Sequence, residues 1–189
     1  MGGMKVMPLG LGEMAVIEPF FQQDARGSFC KIFRRELLSA LGTAEAVSEL
    51  FYTRSKKGVL RGMHFQRPNP QWKVVTALEG EIYDVGVDLR EDSPDFGRWR
   101  ALRLSAENRR AVYLPPGFAH GFLVLSEGAL VAYLCGGAYD PAGDGGICWN
   151  DPEIGIVWPL SPGEKPLLSP RDAALPGLAE YRKQGGEKG

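Results

Sequence analysis

The chain has 189 residues, with 22 basic and 23 acidic side chains and a formal net charge of -1. Because charges of both signs are interspersed, the chain lacks the basic stripe that binding to a nucleic-acid backbone requires. Its apolar runs are short and broken, so no segment has the length of a membrane-spanning helix, and its first residues lack the apolar core of a signal peptide. We therefore expect a single cytoplasmic domain over residues 1–189, without nucleic-acid or membrane partners.

The predicted secondary structure begins with one helix and continues as strands. The helix covers residues 34–41, with three leucines on one face and Gly42 as its stop. From Trp72 onward, short runs separated by turn residues predict strands at 72–79, 81–89, 99–104, 111–114, 121–125, 129–134 and 146–149. Short strands at this spacing indicate a sandwich or a barrel. We expect the core to span about residues 13–172, and the polar tail from about residue 177 to fray.

The predicted strand at 81–89 has two unlike faces, because side chains alternate along a strand. One face carries Tyr83 and two valines, whereas the other carries Asp84, Gly86 and Asp88. A face with two acids and a glycine does not pack into a dry core. It contacts water, as one face of an antiparallel sheet commonly does, or it lines a polar cavity.

The three cysteines, Cys30, Cys135 and Cys148, are an odd number without CxxC spacing. This set predicts neither a disulfide framework nor a zinc knuckle. Small buried thiols in a reducing compartment are the expectation, in agreement with a cytoplasmic location.

Two histidines are present, and each has glycines beside it that permit close approach of a ligand. His64 lies just before the predicted β region, whereas His120 follows a Pro-Gly turn and enters the next strand. A single histidine is more often structural than catalytic, so the residues alone leave both interpretations open.

The segment that ends in His120 has the pattern Pro-x-Gly-x-x-His followed by a strand, and it resembles the second signature of the cupins, which are small jelly-roll barrels. Cupin metal sites usually draw on a His-x-His pair, a glutamate and this later histidine. The matching stretch in this chain is His64-Phe65-Gln66, which falls short of the three protein ligands expected at catalytic zinc or iron sites. We expect acid–base chemistry with no metal and no other cofactor.

A closer resemblance is carried by eight segments that follow one another from residue 24 to residue 172. They are Asp24-Ala-Arg-Gly-Ser-Phe29, Gly58-Val-Leu-Arg-Gly-Met-His-Phe-Gln66, Asp84-Val-Gly-Val-Asp-Leu-Arg90, Ser93-Pro-Asp-Phe-Gly97, Pro116-Gly-Phe-Ala-His-Gly-Phe122, Tyr139-Asp-Pro141, Trp149-Asn-Asp-Pro152 and Ser169-Pro-Arg-Asp172. Together they resemble the dTDP-4-dehydrorhamnose 3,5-epimerase family. The resemblance implies an all-β fold, a cupin-like double-stranded β-helix (jelly roll) with a few short helices. It also implies a homodimer that binds a nucleotide sugar inside the barrel.

The resemblance further implies an isomerase that inverts C3 and C5 of dTDP-4-dehydro-6-deoxyglucose, or of a closely related nucleotide-linked 4-keto-6-deoxyhexose. Carried over motif by motif, the catalytic residues are the base His64, its carboxylate partner Asp172, the proton donor Tyr133 and the cation Lys73. The implied substrate-binding residues are Arg26, Arg61, Gln66, Asp84, His120, Tyr139, Asp144 and Arg171.

The chemistry requires groups of these kinds. A proton beside a ketone is removable only if the enolate is stabilised, so a base and an electrostatic partner are both needed. A histidine with a free pKa of about 6.5 accepts a proton at cellular pH, and a neutral tyrosine with a free pKa of about 10 donates one. A carboxylate on the other ring nitrogen fixes the tautomer of the base and stabilises its imidazolium form.

Several alternatives remain open at the level of the residues. Tyr133 also suits a core aromatic, Arg61 a surface charge and Asp172 a turn residue. Among enzymes, a 3-epimerase and a 3,4-ketoisomerase are the neighbouring hypotheses, and a metal-dependent cupin oxygenase is disfavoured by its ligand count. A non-catalytic sugar-binding cupin is the alternative from another class, and the joint presence of base, partner and donor disfavours it.

Some positions depart from the family pattern. Lys31 stands where a glutamate is usual, Glu49-Leu50-Phe51 where Gln-x-Asn is usual, Leu134 where a lysine is common, and Asp144 where a glutamate is usual. Because polar contacts set discrimination sharply, we expect the reaction class to be retained while the nucleotide or the sugar differs from the dTDP-linked standard.

Overall fold

The computed structural model describes residues 3–43 and 45–186, which form an all-β fold with short helices. The strands are β1 (Lys5–Pro8), β2 (Ala15–Glu18), β3 (Phe20–Asp24), β4 (Gly27–Lys31), β5 (Val47–Lys56), β6 (Leu60–Gln66), β7 (Trp72–Glu79), β8 (Glu81–Asp88), β9 (Trp99–Ser105), β10 (Ala111–Leu114), β11 (Phe118–Val124), β12 (Gly128–Gly136) and β13 (Asp144–Gly146). The helices are α1 (Glu36–Ala40), α2 (Pro170–Ala173) and α3 (Leu178–Gly186). None of the helices in these ranges is long and apolar enough to cross a membrane.

Two antiparallel sheets make up the barrel. The six-stranded sheet has the order β1-β2-β10-β7-β12-β5, and the five-stranded sheet has the order β13-β6-β11-β8-β9. Side chains of both sheets meet in one buried cluster, to which Val75 and Val131 belong from the first sheet and Ile82 and Phe122 from the second. This arrangement of short antiparallel strands around a shared core confirms the predicted jelly roll.

Both outer faces of the barrel are partly covered. Leu37 and Leu41, in and beside α1, pack with Trp72 and Val74 against the six-stranded sheet. On the five-stranded sheet, the residues after β13 and helix α3 pack over Val85 and neighbouring residues of β8. Helices and loops thus bury part of the apolar surface that each sheet turns outward.

The strand predictions differ in accuracy. Those at 72–79 and 111–114 coincide with β7 and β10, and those at 81–89, 99–104, 121–125 and 129–134 overlap β8, β9, β11 and β12. The prediction at 146–149 is wrong, because β13 ends at Gly146, the next two residues are irregular and a turn begins at Trp149. The helix predicted at 34–41 is present but shorter, and Gly42 follows it with a φ of 71°.

Strands β1 to β6 were not predicted. Strand β5 carries charged and hydroxyl side chains along an edge of its sheet, so it lacks a run of branched apolar residues. Strand β6 contains Arg61, Gly62 and His64, which are poor strand indicators. The sequence had suggested that His64 lies just before the β region, but it lies inside a strand.

The prediction of a fraying tail is wrong for the part that forms α3, and residues 187–189 lie outside the described part of the chain. Residues of the tail form α3, in which Leu178 and Tyr181 are buried against the core. The backbone N–H of Leu178 donates to Oδ2 of the buried Asp151 at 2.9 Å, which anchors the start of this helix. Two apolar side chains three positions apart are enough to dock a short helix that is otherwise polar.

A hairpin of β3 and β4 forms a separate two-stranded sheet. Most of its side chains are exposed, including Phe29 and Cys30. The expectation of buried thiols is thus wrong for Cys30 and correct for Cys135, and the cysteines are free of disulfides within the described residues.

Candidate active site

His64 projects from β6 and is bound to a carboxylate from a distant part of the chain. Its Nε2 lies 2.7 Å from Oδ1 of Asp172, which is buried. Because an ionised carboxylate only accepts hydrogen bonds, neutral His64 carries its proton on Nε2, and the Nδ1 lone pair is left to accept another proton. Burial lowers the pKa of His64 below its usual range, although Asp172 acts in the opposite direction.

Asp172 is fixed by the short helix α2. The hydroxyl of Ser169 caps this helix by accepting from the backbone N–H of Asp172 at 3.0 Å. The segment before the helix is bound to β6 and to the residues that precede it. The N–H of Leu167 donates to the carbonyl of Gly58 at 2.8 Å, and the carbonyl of Leu167 accepts from the N–H of Leu60 at 3.0 Å. These contacts place the carboxylate beside His64.

The second histidine also has a carboxylate partner, but both groups are buried. Nε2 of His120 on β11 lies 2.8 Å from Oδ2 of Asp84 on β8. The other carboxylate oxygen of Asp84 has no hydrogen-bond partner among the residues that the structure describes. Asp84 therefore faces the interior of the barrel, which excludes the water-exposed alternative for its face of β8.

Tyr133 projects from β12 into the barrel, from the sheet opposite His64. Its ring stacks on Phe51 of β5 with a centroid distance of 4.7 Å and an angle of 13°. The ring of His120 meets it edge-on at 5.9 Å. Burial raises the pKa of Tyr133 far above its ordinary value, so the phenol is neutral at cellular pH.

Lys73 lies on β7, opposite Cys135 in the register of β7 and β12. Burial lowers the pKa of its ammonium group, while Cys135, Asp144, Asp84 and Glu49 act in the opposite direction. Burial also raises the pKa of the Cys135 thiol to about 11, so this group stays protonated. The acids around Lys73 favour its charged form, and in that form it is suited to holding an oxyanion.

A cavity of about 310 Å³ brings many of these groups together. Of the residues implied by the family resemblance, it is lined by His64, Gln66, Lys73, Tyr139, Asp144 and Arg171. Tyr133, His120 and Asp84 are not part of its lining within the described chain. A larger groove of about 930 Å³ shares Phe65 and Asp144 with the cavity but holds none of the proposed acid–base groups.

The mouth of the cavity is formed by three polar side chains. Oη of Tyr139 donates to Oδ2 of Asp144 at 3.2 Å, and Nη2 of Arg171 lies 2.9 Å from Oδ1 of the same carboxylate. Tyr139 is exposed, and Arg171 precedes Asp172 in α2. One short helix thus presents a cation to the mouth and a carboxylate to His64.

Three other implied residues do not offer free polar groups to the cavity. One lies far out on a hairpin, and two form hydrogen bonds with other residues of the protein. Arg26 is exposed at the tip of the β3–β4 hairpin, where it pairs with Asp24 at 2.6 Å. Nε of Arg61 donates to Oγ of Ser55 at 2.9 Å. The amide of Gln66 donates to two carbonyl oxygens and accepts from the N–H of Asp140, so it fixes the loop that carries Tyr139.

The glycines beside the histidines serve contacts between strands. A Cβ atom at Gly62 would lie 2.5 Å from Cα of Gly121, and one at Gly121 would lie 2.7 Å from the carbonyl oxygen of Arg61. Gly62 also has a φ of +133°, which other residues rarely adopt. The small size of these glycines therefore lets β6 and β11 approach each other. The sequence had suggested that they permit close approach of a ligand.

Five lining residues were not among the implied site residues: Glu49, Phe51, Phe65, Gln71 and Cys135. Glu49 and Phe51 had appeared only as departures from the family pattern. Cys135 lies two positions after Tyr133 and so shares its face of β12, a signal that alternation alone provides. Of the other departures, Asp144 also lines the cavity, whereas Leu134 packs on the outer face of the sheet and Lys31 lies over the ring of Phe29.

Among the residues that the structure describes, no group of three or more His, Cys, Asp or Glu side chains is arranged to hold a metal ion. The groups that are present suit proton transfer. His64 offers a neutral base with a carboxylate partner, Lys73 a cation, and Tyr133 a neutral acid on the facing sheet. A carbon between the two sheets would have a base on one side and an acid on the other.

Similarity to known proteins agrees with this chemistry. Residues 8–180 match the model of the family described as dTDP-4-dehydrorhamnose 3,5-epimerase. The dTDP-4-dehydrorhamnose 3,5-epimerase of Salmonella typhimurium is 43% identical over 175 residues, which cover 92% of this chain and 94% of the relative.

Two solved structures have the same fold over nearly their whole length. The dTDP-6-deoxy-D-glucose-3,5-epimerase of Legionella pneumophila in complex with dTDP-4-keto-L-rhamnose has a TM-score of 0.89 at 42% identity, and the match covers 93% of each chain. ChmJ, a 3'-monoepimerase of Streptomyces bikiniensis in complex with dTDP-quinovose, has a TM-score of 0.87 at 37% identity, and the match covers 95% of this chain and 90% of ChmJ.

Proposed function

The chain belongs to the dTDP-4-dehydrorhamnose 3,5-epimerase family, and we propose that it is an isomerase that inverts C3 and C5 of dTDP-4-dehydro-6-deoxyglucose. One observation carries the proposal. The pair of His64 and Asp172 opens to a cavity that also contains Lys73, while Tyr133 projects from the facing sheet. A binding protein has no need of a base and an acid on two facing sheets.

The first half of the reaction removes a proton. Nδ1 of His64 accepts the hydrogen bound to the carbon beside the ketone, and the electrons of the C–H bond move into the enolate. Asp172 stabilises the imidazolium that forms, as a carboxylate does when it holds the other ring nitrogen. The ammonium group of Lys73 stabilises the negative charge on the enolate oxygen.

The second half returns a proton to the opposite face of the same carbon. The O–H bond of Tyr133 breaks, a new C–H bond forms, and the enolate oxygen becomes a ketone again. Proton exchange with water then restores neutral His64 and Tyr133. The same two groups act in turn on C3 and on C5, which flank the ketone symmetrically.

The nucleotide is proposed to bind at the mouth of the cavity. The exposed ring of Tyr139 offers a surface on which a base can stack, and Arg171 offers a guanidinium group for the diphosphate. Arg171 is already paired with Asp144, so binding of the diphosphate exchanges one anion for another.

Proton NMR of dTDP-4-keto-6-deoxyglucose in deuterated water tests the proposed reaction. We expect loss of the signals at C3 and C5 together with formation of the epimerised sugar. Both effects should vanish in the His64→Ala variant. A wild-type protein that leaves both carbons protonated with dTDP-, CDP- and GDP-linked sugars would contradict the proposal and favour a sugar-binding cupin.

A 3-epimerase is the second candidate, and the match to ChmJ favours it. That protein is a 3'-monoepimerase with the same fold at 37% identity, so the fold alone does not set the number of inverted centres. The NMR experiment separates the two functions, because exchange and inversion at C3 alone would support the 3-epimerase.

We also propose a homodimer. Strand β5 is an edge of the six-stranded sheet, and two of its outward side chains, Leu50 and Tyr52, are 72% and 69% exposed. An unpaired edge with apolar side chains is usually covered in a stable protein. Analytical ultracentrifugation of the wild type and of a Leu50→Asp variant tests this, since a dimer should dissociate only in the variant. A monomeric wild type would contradict it.

The proposed site of action is the cytoplasm. The free cysteines, with Cys30 exposed, fit a reducing compartment. Cell fractionation that detects the protein only outside the cytoplasm would contradict this proposal.

A further inference from the structure

Phe51 contacts the proposed proton donor Tyr133 but has no role in the reaction described above. Phe51 and Tyr133 are directly opposite each other in the register of β5 and β12, and Tyr133 belongs to the buried cluster between the two sheets. Their rings are stacked at 4.7 Å with an angle of only 13°. Phe51 lines the cavity and is 41% exposed, whereas Tyr133 is 7% exposed. The phenylalanine is thus a cavity-lining neighbour of the buried tyrosine.

Tyr133 is restrained on a second side as well. The ring of His120 meets it edge-on at 5.9 Å and an angle of 75°. His120 is itself fixed by the hydrogen bond of 2.8 Å to the buried Asp84. The phenol is thus bounded by a stacked ring and by an anchored imidazole, and rotation of its ring toward β5 is blocked by Phe51.

The position matters because proton return is sensitive to geometry. A donor must reach the carbon from the face opposite His64, and small displacements of a positioned group cost much of the rate. A phenylalanine also offers no hydrogen bond to a substrate, so its contribution at this place is the contact with its neighbour.

We propose that Phe51 is a positioning residue that holds Tyr133 in the orientation needed to return a proton to the opposite face of the substrate carbon. The proposal rests on the proposed epimerase function and deepens it. Phe51 thereby sets how the enolate is partitioned. With the phenol in place, the enolate is protonated on the opposite face and inverts, whereas with a displaced phenol it regains a proton from His64 on the original face.

This partition is measurable in deuterated water. Proton transfer back from His64 after exchange with solvent places deuterium on the carbon without inversion, whereas transfer from Tyr133 gives the epimer. NMR therefore yields two rates from one sample, the rate of exchange with retention and the rate of inversion. Their ratio reports on the donor alone, because both rates share the first step.

The variants are Phe51→Ala, Phe51→Leu and Phe51→Tyr, with Tyr133→Phe as the reference for a missing donor. In Phe51→Ala we expect the ratio of exchange to inversion to rise roughly tenfold or more, as in Tyr133→Phe, since a positioned acid contributes about 10² to 10⁴ in rate. KM is expected to rise as well, because Phe51 lines the cavity, so the ratio of exchange to inversion, and not KM, is the deciding measurement. Phe51→Tyr keeps the stacked ring and should restore the wild-type ratio, and Phe51→Leu, which keeps apolar volume without a flat ring, should behave like Phe51→Ala.

A second measurement does not depend on activity. Ultraviolet absorbance counts the tyrosines that ionise as the pH rises, and Phe51→Ala should expose one more phenol to titration than the wild type. The additional phenol should disappear when Tyr133→Phe is combined with Phe51→Ala. The charged and titratable groups around Tyr133, namely Asp84, Arg61, His120 and Cys135, are the same in all of these proteins.

The outcomes separate this inference from the proposed function. An unchanged ratio in a folded Phe51→Ala protein, a change in KM alone, or faster inversion on removal of the ring would overturn the role of Phe51 while leaving the epimerase intact. If Phe51→Ala fails to fold, Phe51→Leu decides by the same criteria. A wild type without exchange on any nucleotide sugar would overturn the proposed function, and this inference with it.

Discussion

His64 and His120 are cross-strand partners on β6 and β11, yet each is bound through Nε2 to a different carboxylate. The side chain of His64 is 30% exposed, whereas that of His120 is 5% exposed. Only His64 lines the cavity, so exposure separates two otherwise similar pairs into a base that can reach substrate and an imidazole that packs against Tyr133.

Replacement of His64 by alanine should abolish proton exchange at both C3 and C5. A positioned base contributes about 10² to 10⁴ in rate, and no other group in the cavity accepts a proton with a free pKa near neutrality. Exchange measured by NMR tests this, with thermal unfolding as the check that the variant is folded. Exchange at the wild-type rate would assign the base to another residue.

The acid limb of kcat/KM should lie below the usual histidine pKa of about 6.5. Burial is the main cause that lowers the pKa of His64, and a base acts while neutral, so activity is present above its folded pKa and is lost as the pH falls through it. Asp172 raises this pKa. The Asp172→Asn variant should therefore have a lower maximum rate and an acid limb at still lower pH. A limb that moves upward in the pH profile would contradict the assignment.

Removal of the charge at Lys73 should lower kcat by about 10² to 10³, the usual cost of losing one group that stabilises an oxyanion. Lys73→Met preserves the length of the side chain and removes only the ammonium group, and steady-state kinetics gives the effect. Lys73→Arg is the matched variant that keeps the charge, and it should retain more activity. Equal losses in both variants would indicate that packing, not charge, is the contribution of this residue.

Truncation of Tyr139 should act on binding more than on catalysis. Its ring is exposed at the mouth, so Tyr139→Ala should raise KM about tenfold with little change in kcat, the pattern of lost uniform binding. Tyr139→Phe retains the ring and loses the hydrogen bond to Asp144, so it should stay near the wild type if stacking dominates. A fall in kcat at constant KM would place this residue in the chemistry.

A methyl group at Gly121 should destabilise the barrel by about 1–3 kcal/mol, the usual cost of overpacking. The new Cβ would lie 2.6 Å from Sδ of Met63 and 2.7 Å from the carbonyl oxygen of Arg61. Gly128→Ala is the matched control, because its nearest neighbour would be an ordinary 3.4 Å away. The difference in denaturation midpoints gives the result, and equal stability of the two variants would contradict the close approach of β6 and β11.

The sequence pattern predicted those strands that consist mainly of branched and apolar residues between turn residues. Strand β7 contains several branched residues between two turns and was predicted to the residue. The charged strand β5 and the glycine- and histidine-containing β6 were not, because their pairing with β12 and β11 depends on contacts that are distant in sequence. Helix α3 was missed for the same reason, because its two buried side chains pack against core residues that are distant in sequence.

The candidate site was also predicted only in part. The hydrogen bond of His64 and Asp172 came from the resemblance to a family and not from the residues themselves, since nothing local connects two positions 108 residues apart. The departures at Glu49 and Phe51 were visible in the sequence, but their positions in the cavity required the register of β5 and β12. The proposed substrate is the dTDP-linked sugar, in place of the expectation that the nucleotide or the sugar differs from that standard. The single-domain boundary stays a prediction.

The attachment of α2 to β6 has a consequence for the order in which the molecule becomes active. A ribosome makes His64 early and Asp172 only after the strands of both sheets, so the nascent chain carries an imidazole that still lacks its carboxylate. The same helix carries Arg171, which lines the cavity, so α2 also completes the wall of the pocket. Chemical competence and the full lining of the pocket are therefore acquired together, late in biosynthesis.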